Sequence, residues 1–374
     1  LSGLLITFVA SKIRILKRLQ TMSNEKIKVG ISVGDLNGIG TEVILKTFEE
    51  SMMLDLCTPV IFASTKTLTF IKRQFDFDQL LYGINHPKDA LEGKINVVNL
   101  WKETPEINFG KPDFEIGKLA FQSLREATKA LKEGSIDVLV TAPINKHTIH
   151  SEEFNFPGHT DYLAKELEGE SLMLMVSGNL RVGLLTDHIP VSEVASHLNE
   201  ALIKKKIHLL IQSLQQDFGI SKPKIALLGI NPHCGDNGVI GQEDDAILIP
   251  VIQQFKDDKA LVYGPYAADS FFGSANYKNF DGILAAYHDQ GLIPFKTLAF
   301  GGGVNFTAGL SHIRTSPDHG TGFDIAGKNL ADPGSFRQAV YTAIDIFRNR
   351  RSYLTDSQNP LKKLSKNTSE RYNP

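Results

Sequence analysis

Lys26-Ile27-Lys28-Val29-Gly30-Ile31-Ser32-Val33-Gly34-Asp35-Leu36-Asn37-Gly38-Ile39-Gly40 opens the alternation that sets the architecture. Its first half, Ile27 to Val33, is an apolar, strand-like run. Its second half is a glycine turn leading into a helix that reaches Glu50. The turn lacks the Gly-x-Gly-x-x-Gly dinucleotide fingerprint. Its amides can hold an anion at the helix start, and a tight turn with no ligand reads equally well. Downstream the alternation continues through Val60 to Ala63, Ile95 to Asn99, a helix from Glu115 to Lys132, and Ile136 to Thr141. It resumes at Leu172 to Val176, Val182 to Leu185, Ile225 to Ile230, Leu261 to Tyr263 and Asp281 to Ala286, and closes with a helix from Ser335 to Arg350. Strands and helices in alternation predict an α/β fold, and the length suggests two lobes. In the long helix Leu119, Ala120, Leu124, Ala127 and Leu131 form one apolar stripe for a sheet.

Upstream, Leu4 to Ala10 is apolar but too short to span a bilayer, and its basic residues follow the apolar run. Residues 1–21 are therefore expected to be a leader or extension outside the fold, with Met22 as the natural start; residues 352–374 read as a polar tail. The chain has 374 residues with 42% hydrophobic and 22% charged content, as in an ordinary soluble globular protein. A net charge of −2 argues against nucleic acid or an anionic membrane as the main partner. Two cysteines, Cys57 and Cys234, fit a reducing cytoplasm and exclude a disulfide framework.

Three of the eleven histidines sit in rigid turns just past apolar runs: His188 in Asp187-His188-Ile189-Pro190, His233 in Asn231-Pro232-His233-Cys234, and His288 in Tyr287-His288-Asp289-Gln290-Gly291. Such positions, at strand ends, are where open α/β sheets hold ligands. Three imidazoles sharing one divalent metal leave positions open for a substrate. Each taken alone also reads as an ordinary loop histidine. Cys234 is a possible further ligand or a small turn-filling residue.

Lys296, Asn305 and Arg314 follow His288 at intervals of eight, nine and nine residues, a set suited to an anionic substrate or to solvated surface charge. Gly301-Gly302-Gly303 is a loop where backbone can approach a phosphate or nucleotide. In Gly158-His159-Thr160-Asp161, His159 points to hydrogen bonding with substrate oxygen, while Thr160 reads as substrate contact or helix N-cap. Asp269 reads as a carboxylate orienting a ligand or as a cap.

These segments, with Gly34-Asp35 through Gly40, Thr141-Ala142-Pro143-Ile144-Asn145-Lys146 and Asp318-His319-Gly320-Thr321, make the chain resemble the 4-hydroxythreonine-4-phosphate dehydrogenase family of pyridoxal phosphate biosynthesis, from about Lys26 to about Arg350. The resemblance implies a homodimer of subunits with two α/β/α lobes flanking a cleft, similar to isocitrate and isopropylmalate dehydrogenases and without a standard Rossmann domain. The lobes would be 22–145 with 301–351, and 146–300. It implies that His188, His233 and His288 bind zinc, cobalt or magnesium, with ligands drawn from both subunits. His159, Thr160, Lys296, Asn305 and Arg314 would contact a phosphorylated substrate, and NAD would accept hydride, with Gly301, Gly302 and Gly303 as its expected contacts. Lys296 and Asp269 are the expected catalytic groups. Leu36, Cys234 and Asp236 depart from the family's usual proline, alanine and glutamate. A paralogue acting on threonate or erythronate 4-phosphate fits the same residues, and a metal-dependent phosphate-ester hydrolase is the more distant alternative.

Overall fold

Val29 and Ile31 of strand β1 (Ile27–Ser32) are wholly buried on one face, and Gly30 and Ser32 of the other face are buried too, as in a strand covered on both sides. The computed structural model describes residues 26–156, 158–167 and 169–358, so the proposed leader at 1–21 lies outside the described residues. β1 belongs to a 12-stranded sheet. Its other members are β2 (Cys57–Ala63), β3 (Leu81–Ile84), β4 (Ile95–Asn99), β5 (Val138–Thr141), β6 (Gly169–Ser177), β7 (Leu180–Leu184), β8 (Ile225–Leu228), β9 (Val262–Tyr266), β10 (Gly282–Ala285), β11 (Val304–Leu310) and β12 (Arg314–Pro317). The order across the sheet is β3-β4-β2-β1-β5-β12-β11-β6-β7-β10-β8-β9.

Strands β3, β4, β2, β1, β5 and β12 run parallel to one another, as do β7, β10, β8 and β9. Three successive antiparallel pairings, β12 with β11, β11 with β6 and β6 with β7, join the two blocks, which therefore run in opposite directions. At this seam Asn305 of β11 stands opposite Ser316 of β12 and Met175 of β6, so the three side chains share one face. That face is the floor of the site described below.

The main helices are α1 (Gly40–Thr47), α2 (Phe114–Lys132), α3 (His159–Glu166), α4 (Glu200–Gln216), α5 (His288–Ala299) and α6 (Gly334–Ser357). Asp113 caps α2 by accepting hydrogen bonds from the Glu115 and Ile116 amides at 2.7 and 3.2 Å, worth about 1 kcal/mol. Ala120, Leu124, Ala127 and Leu131 of its apolar stripe are buried, and Leu119 is partly so. Each fully buried aliphatic side chain of this kind contributes roughly 1.5–3 kcal/mol relative to exposure. Among the described residues no helix is long and apolar enough to cross a membrane.

The glycine turn is filled by its own protein. A Cβ on Gly34, at φ +65°, would lie 2.2 Å from the Pro143 carbonyl, and the Asp35 amide donates to that same oxygen at 2.9 Å. The tight-turn reading is the one these contacts favour. The sequence reading ends the last helix at Arg350, whereas α6 runs to Ser357 and so takes in the start of the expected polar tail. It also omits β3, β11 and β12. β3 is largely exposed at the sheet edge, and Arg314-Thr315-Ser316-Pro317 buries polar side chains in the sheet interior, against the apolar pattern expected of a central strand.

Candidate active site

A cavity of about 290 Å³ lies over the seam. Met173 and Met175 from β6, Asn305 from β11, and Arg314 and Ser316 from β12 line it, together with Thr141 at the end of β5. Lys146, His159 and Thr160 form one wall; His188, His288, Leu292 and Lys296 form the opposite one, and Asp318 and His319 complete the rim. Each of His159, Thr160, Lys296, Asn305 and Arg314 therefore reaches one pocket.

Arg314 governs the electrostatics. It is 2% exposed, and its guanidinium donates to the Thr141 hydroxyl from Nη2 at 2.6 Å and Nε at 3.1 Å, and to the Thr307 hydroxyl from Nη1 at 3.3 Å. Among the described residues no carboxylate pairs with it. Burial pushes its pKa down from 12.5 to about 9, so it remains a cation at neutral pH. Burying an unpaired charge costs on the order of several kcal/mol, and a bound anion is the partner that offsets it. Lys146 and Lys296 add two amino groups, and among the described residues Lys296 Nζ donates to the Asp318 carbonyl at 3.2 Å.

His159 begins α3, behind the extended Gly158 at its N-cap; Thr160 lies in the first turn rather than at the cap, and is 8% exposed. Burial, then the charges of Arg314 and Lys146, hold His159 well below the usual imidazole pKa, so it is neutral. Among the described residues its Nε2, the Asn305 Oδ1 and the His319 Nε2 are buried without a hydrogen-bond partner. Such orphaned groups in a pocket await ligand atoms.

His188 follows β7 and His288 starts α5, and their rings lie 6.0 Å apart. Each has a carboxylate beside Nδ1: Asp289 at 2.6 Å from His288, Asp187 at 3.9 Å from His188. For His288 that hydrogen bond turns Nε2 outward, the usual way a carboxylate orients a metal-binding imidazole, whereas Asp187 accepts from the His188 backbone amide at 2.6 Å and stands only near its ring. His288, Leu292 and Lys296 recur every fourth residue, so α5 presents all three on one face.

His233 is not brought to this pair within the chain. It is exposed in the turn after β8 and does not line the cavity. Among the described residues no group of three or more His, Cys, Asp or Glu is placed to hold a metal ion. The turn is left-handed throughout: His233 (φ 52°), Cys234 (54°), Gly235 (81°), Asp236 (46°), Asn237 (56°) and Gly238 (87°). For His233 and Cys234 this backbone costs roughly 1–2 kcal/mol each, and persists only where surrounding contacts impose it. Asp269, exposed in the first turn of a short helix capped by Ala267, lies away from the cavity and near Cys234, whose thiol pKa is raised by burial, then by Asp244 and Asp269. Gly301 and Gly302 form the turn between α5 and β11, while a Cβ on Gly303 would lie 2.2 Å from Asp318 Oδ2. Lys146 and His319 fall in segments that the sequence reading marks without assigning either a role. Their signal is their place beside the Thr141 strand end and the Asp318 turn.

A seam-centred α/β sheet whose cavity is lined by a buried cation and two imidazoles suits an enzyme acting on an anionic small molecule. The family model for the pyridoxal phosphate biosynthetic protein PdxA matches residues 55–343, and the chain belongs to this family of oxidoreductases. It is 50% identical over 344 residues to the 4-hydroxythreonine-4-phosphate dehydrogenase of Bacteroides thetaiotaomicron, covering 91% of this chain and 94% of that one. It is 36% identical over 334 residues to the D-threonate 4-phosphate dehydrogenase of Cupriavidus necator, covering 88% and 100%. The crystal structure of the 4-hydroxythreonine-4-phosphate dehydrogenase from Klebsiella pneumoniae, 33% identical, superposes with a TM-score of 0.73 over 87% of this chain and 98% of that one.

Proposed function

We propose that the chain oxidises 4-phosphohydroxy-L-threonine with NAD to 2-amino-3-oxo-4-phosphooxybutanoate, which loses carbon dioxide to give 3-amino-2-oxopropyl phosphate, in cytoplasmic pyridoxal phosphate biosynthesis. The buried, unpaired Arg314 carries the reading, because a phosphate is the anion its planar donors suit best. Lys146, neutral His159, Thr160, Lys296 and Asn305 surround the same position and hold the remaining phosphate and carboxylate oxygens. Bound NAD supplies the hydride acceptor, and a bound divalent ion (zinc, cobalt or magnesium) supplies Lewis acidity.

The donor set supports a metal: His188 and His288 provide two imidazoles 6.0 Å apart, that of His288 with its Nδ1 engaged by Asp289, and His233 of a second copy of the chain supplies the third. On this reading the enzyme is a homodimer, and its lobes are 22–145 with 301–351, and 146–300, the second containing all of β6 to β10. In its unprotonated amine form Lys296 takes the alcohol's proton as hydride passes from the same carbon to NAD, and Asp269 steadies the His233 turn. Gly301, with open space around it, leaves backbone for the nucleotide; a Cβ on Gly302 would make ordinary contact with the Ala299 carbonyl at 3.4 Å, and Gly303 is committed to Asp318.

The test is NADH formation by the purified chain, with 4-phosphohydroxythreonine and D-threonate 4-phosphate assayed side by side, with and without chelator. Turnover of the first at least about tenfold above the second, lost on chelation, is the expected result. Equal or greater turnover of the threonate would transfer the assignment to that substrate.

A further inference from the structure

A string of hydrogen bonds behind the cavity joins the three loops that carry His188, His233 and His288. Thr186 Oγ1 donates to the Ala286 carbonyl at 2.7 Å, fastening the His188 loop to the end of β10. Gln290 Oε1 accepts from the Ala286 amide, and its Nε2 donates to the Gly229 carbonyl, both at 2.7 Å. One side-chain amide thus links the His288 turn to the root of the His233 turn. The amide accepts from one loop and donates to the other, which neither an ionised carboxylate nor an ammonium can do.

Asp244, wholly buried, fastens the other side of the root. Its Oδ1 accepts from the Ile230 amide at 2.8 Å, and its Oδ2 from the Asn231 amide at 2.9 Å and Asn231 Nδ2 at 3.1 Å. The turn folds back on this anchor so closely that a Cβ on Gly229 would lie 2.8 Å from Cys234 Sγ and 3.2 Å from Asp244 Oδ1. The left-handed backbone from His233 to Gly238 begins directly beyond it.

We infer that Gln290 and Asp244 are positioning residues: they fix the strained His233 turn to the same rigid strand ends that carry the His188 and His288 loops, so that when two copies meet each histidine is set before any ion binds. The inference rests on the metal reading given above. It is tested by titrating the chelator-stripped full-length protein with Co2+ and following the visible absorption of the bound ion. Gln290→Met and Asp244→Asn are each expected to weaken Co2+ binding by about 10–100-fold. Saturating Co2+ is expected to return the turnover of Gln290→Met, which a loss of fold would not allow. Amide exchange at Ile230 and Asn231 quickens in both variants. Should Asp244→Asn fail to fold, Gln290→Met decides alone. If His188→Ala abolishes Co2+ binding while the two variants bind as tightly as the unaltered chain, the positioning role is wrong and the metal reading stands. If the unaltered chain binds no Co2+, both fall.

Discussion

Arg314 shows how one side chain combines cost and function. Its charge is buried against hydroxyls alone, so Arg314→Met removes an uncompensated cation and is expected to raise the melting temperature of the ligand-free protein by a few degrees. The same variant is expected to raise KM for the phosphorylated substrate by about 100-fold, and to abolish the thermal shift that inorganic phosphate gives the unaltered chain. A variant that keeps its phosphate shift would remove Arg314 from the anion site. His159 provides the pH test. With its pKa held well below 6.5, the folded protein keeps the ring neutral while the unfolded chain takes up a proton as pH falls through 6.5. Stability is therefore unaffected by His159 above that pH and declines below it. Ring resonances of His159 in NMR spectra that stay flat through pH 6.5 are the expected observation; a midpoint near 6.5 would contradict it. At this scale the chain was partly readable. His188 and His288 stand in short rigid turns that advertise them, but Lys146 and His319 become visible only when β5 and β12 bring their flanking turns to one rim.

Elements matter because they convert spacing into direction. Helix α5 delivers His288, Leu292 and Lys296 from one face, and the turn after it must then place Asn305 on the seam while leaving Asp318 to receive Lys296. Gly303 makes that possible, since nothing larger fits against the Asp318 carboxylate, which also takes a hydrogen bond from Ser335 Oγ at 3.1 Å. Gly303→Ala is expected to destabilise by about 1–3 kcal/mol and to raise KM for the phosphorylated substrate, read from denaturant midpoints and steady-state kinetics. An unchanged midpoint would mean that Asp318 moves aside freely. Strands β2 and β10 are legible as short, nearly continuous apolar runs buried on both faces, and β1 by the alternating Ile27, Val29 and Ile31. Strand β12 is not, because its Arg314, Thr315 and Ser316 are polar, and Arg314 and Thr315 hydrogen-bond to tertiary partners, Thr141 and the Ala339 carbonyl, that no local pattern announces.

In the whole molecule the placement of His233 away from the His188–His288 pair makes a sharp demand on assembly. If one copy supplies His233 to the other's pocket, His188→Ala and His233→Ala are each inactive alone, yet unfolding and refolding them together creates mixed dimers with one intact site. About a quarter of the unaltered activity is then expected in the mixture, measured as NADH formation. No recovery would place all three ligands in one copy or discard the shared site. The seam carries a last consequence, for the order in which the molecule can be made. Thr141 and Arg314 touch across 173 positions of chain, and β12 is the inner neighbour of β5. During synthesis the first block must wait with the flank of β5 bare while the entire second block emerges from the ribosome. Truncated products ending before Val304 keep that flank open, and are the species a cell's chaperones would have to shelter.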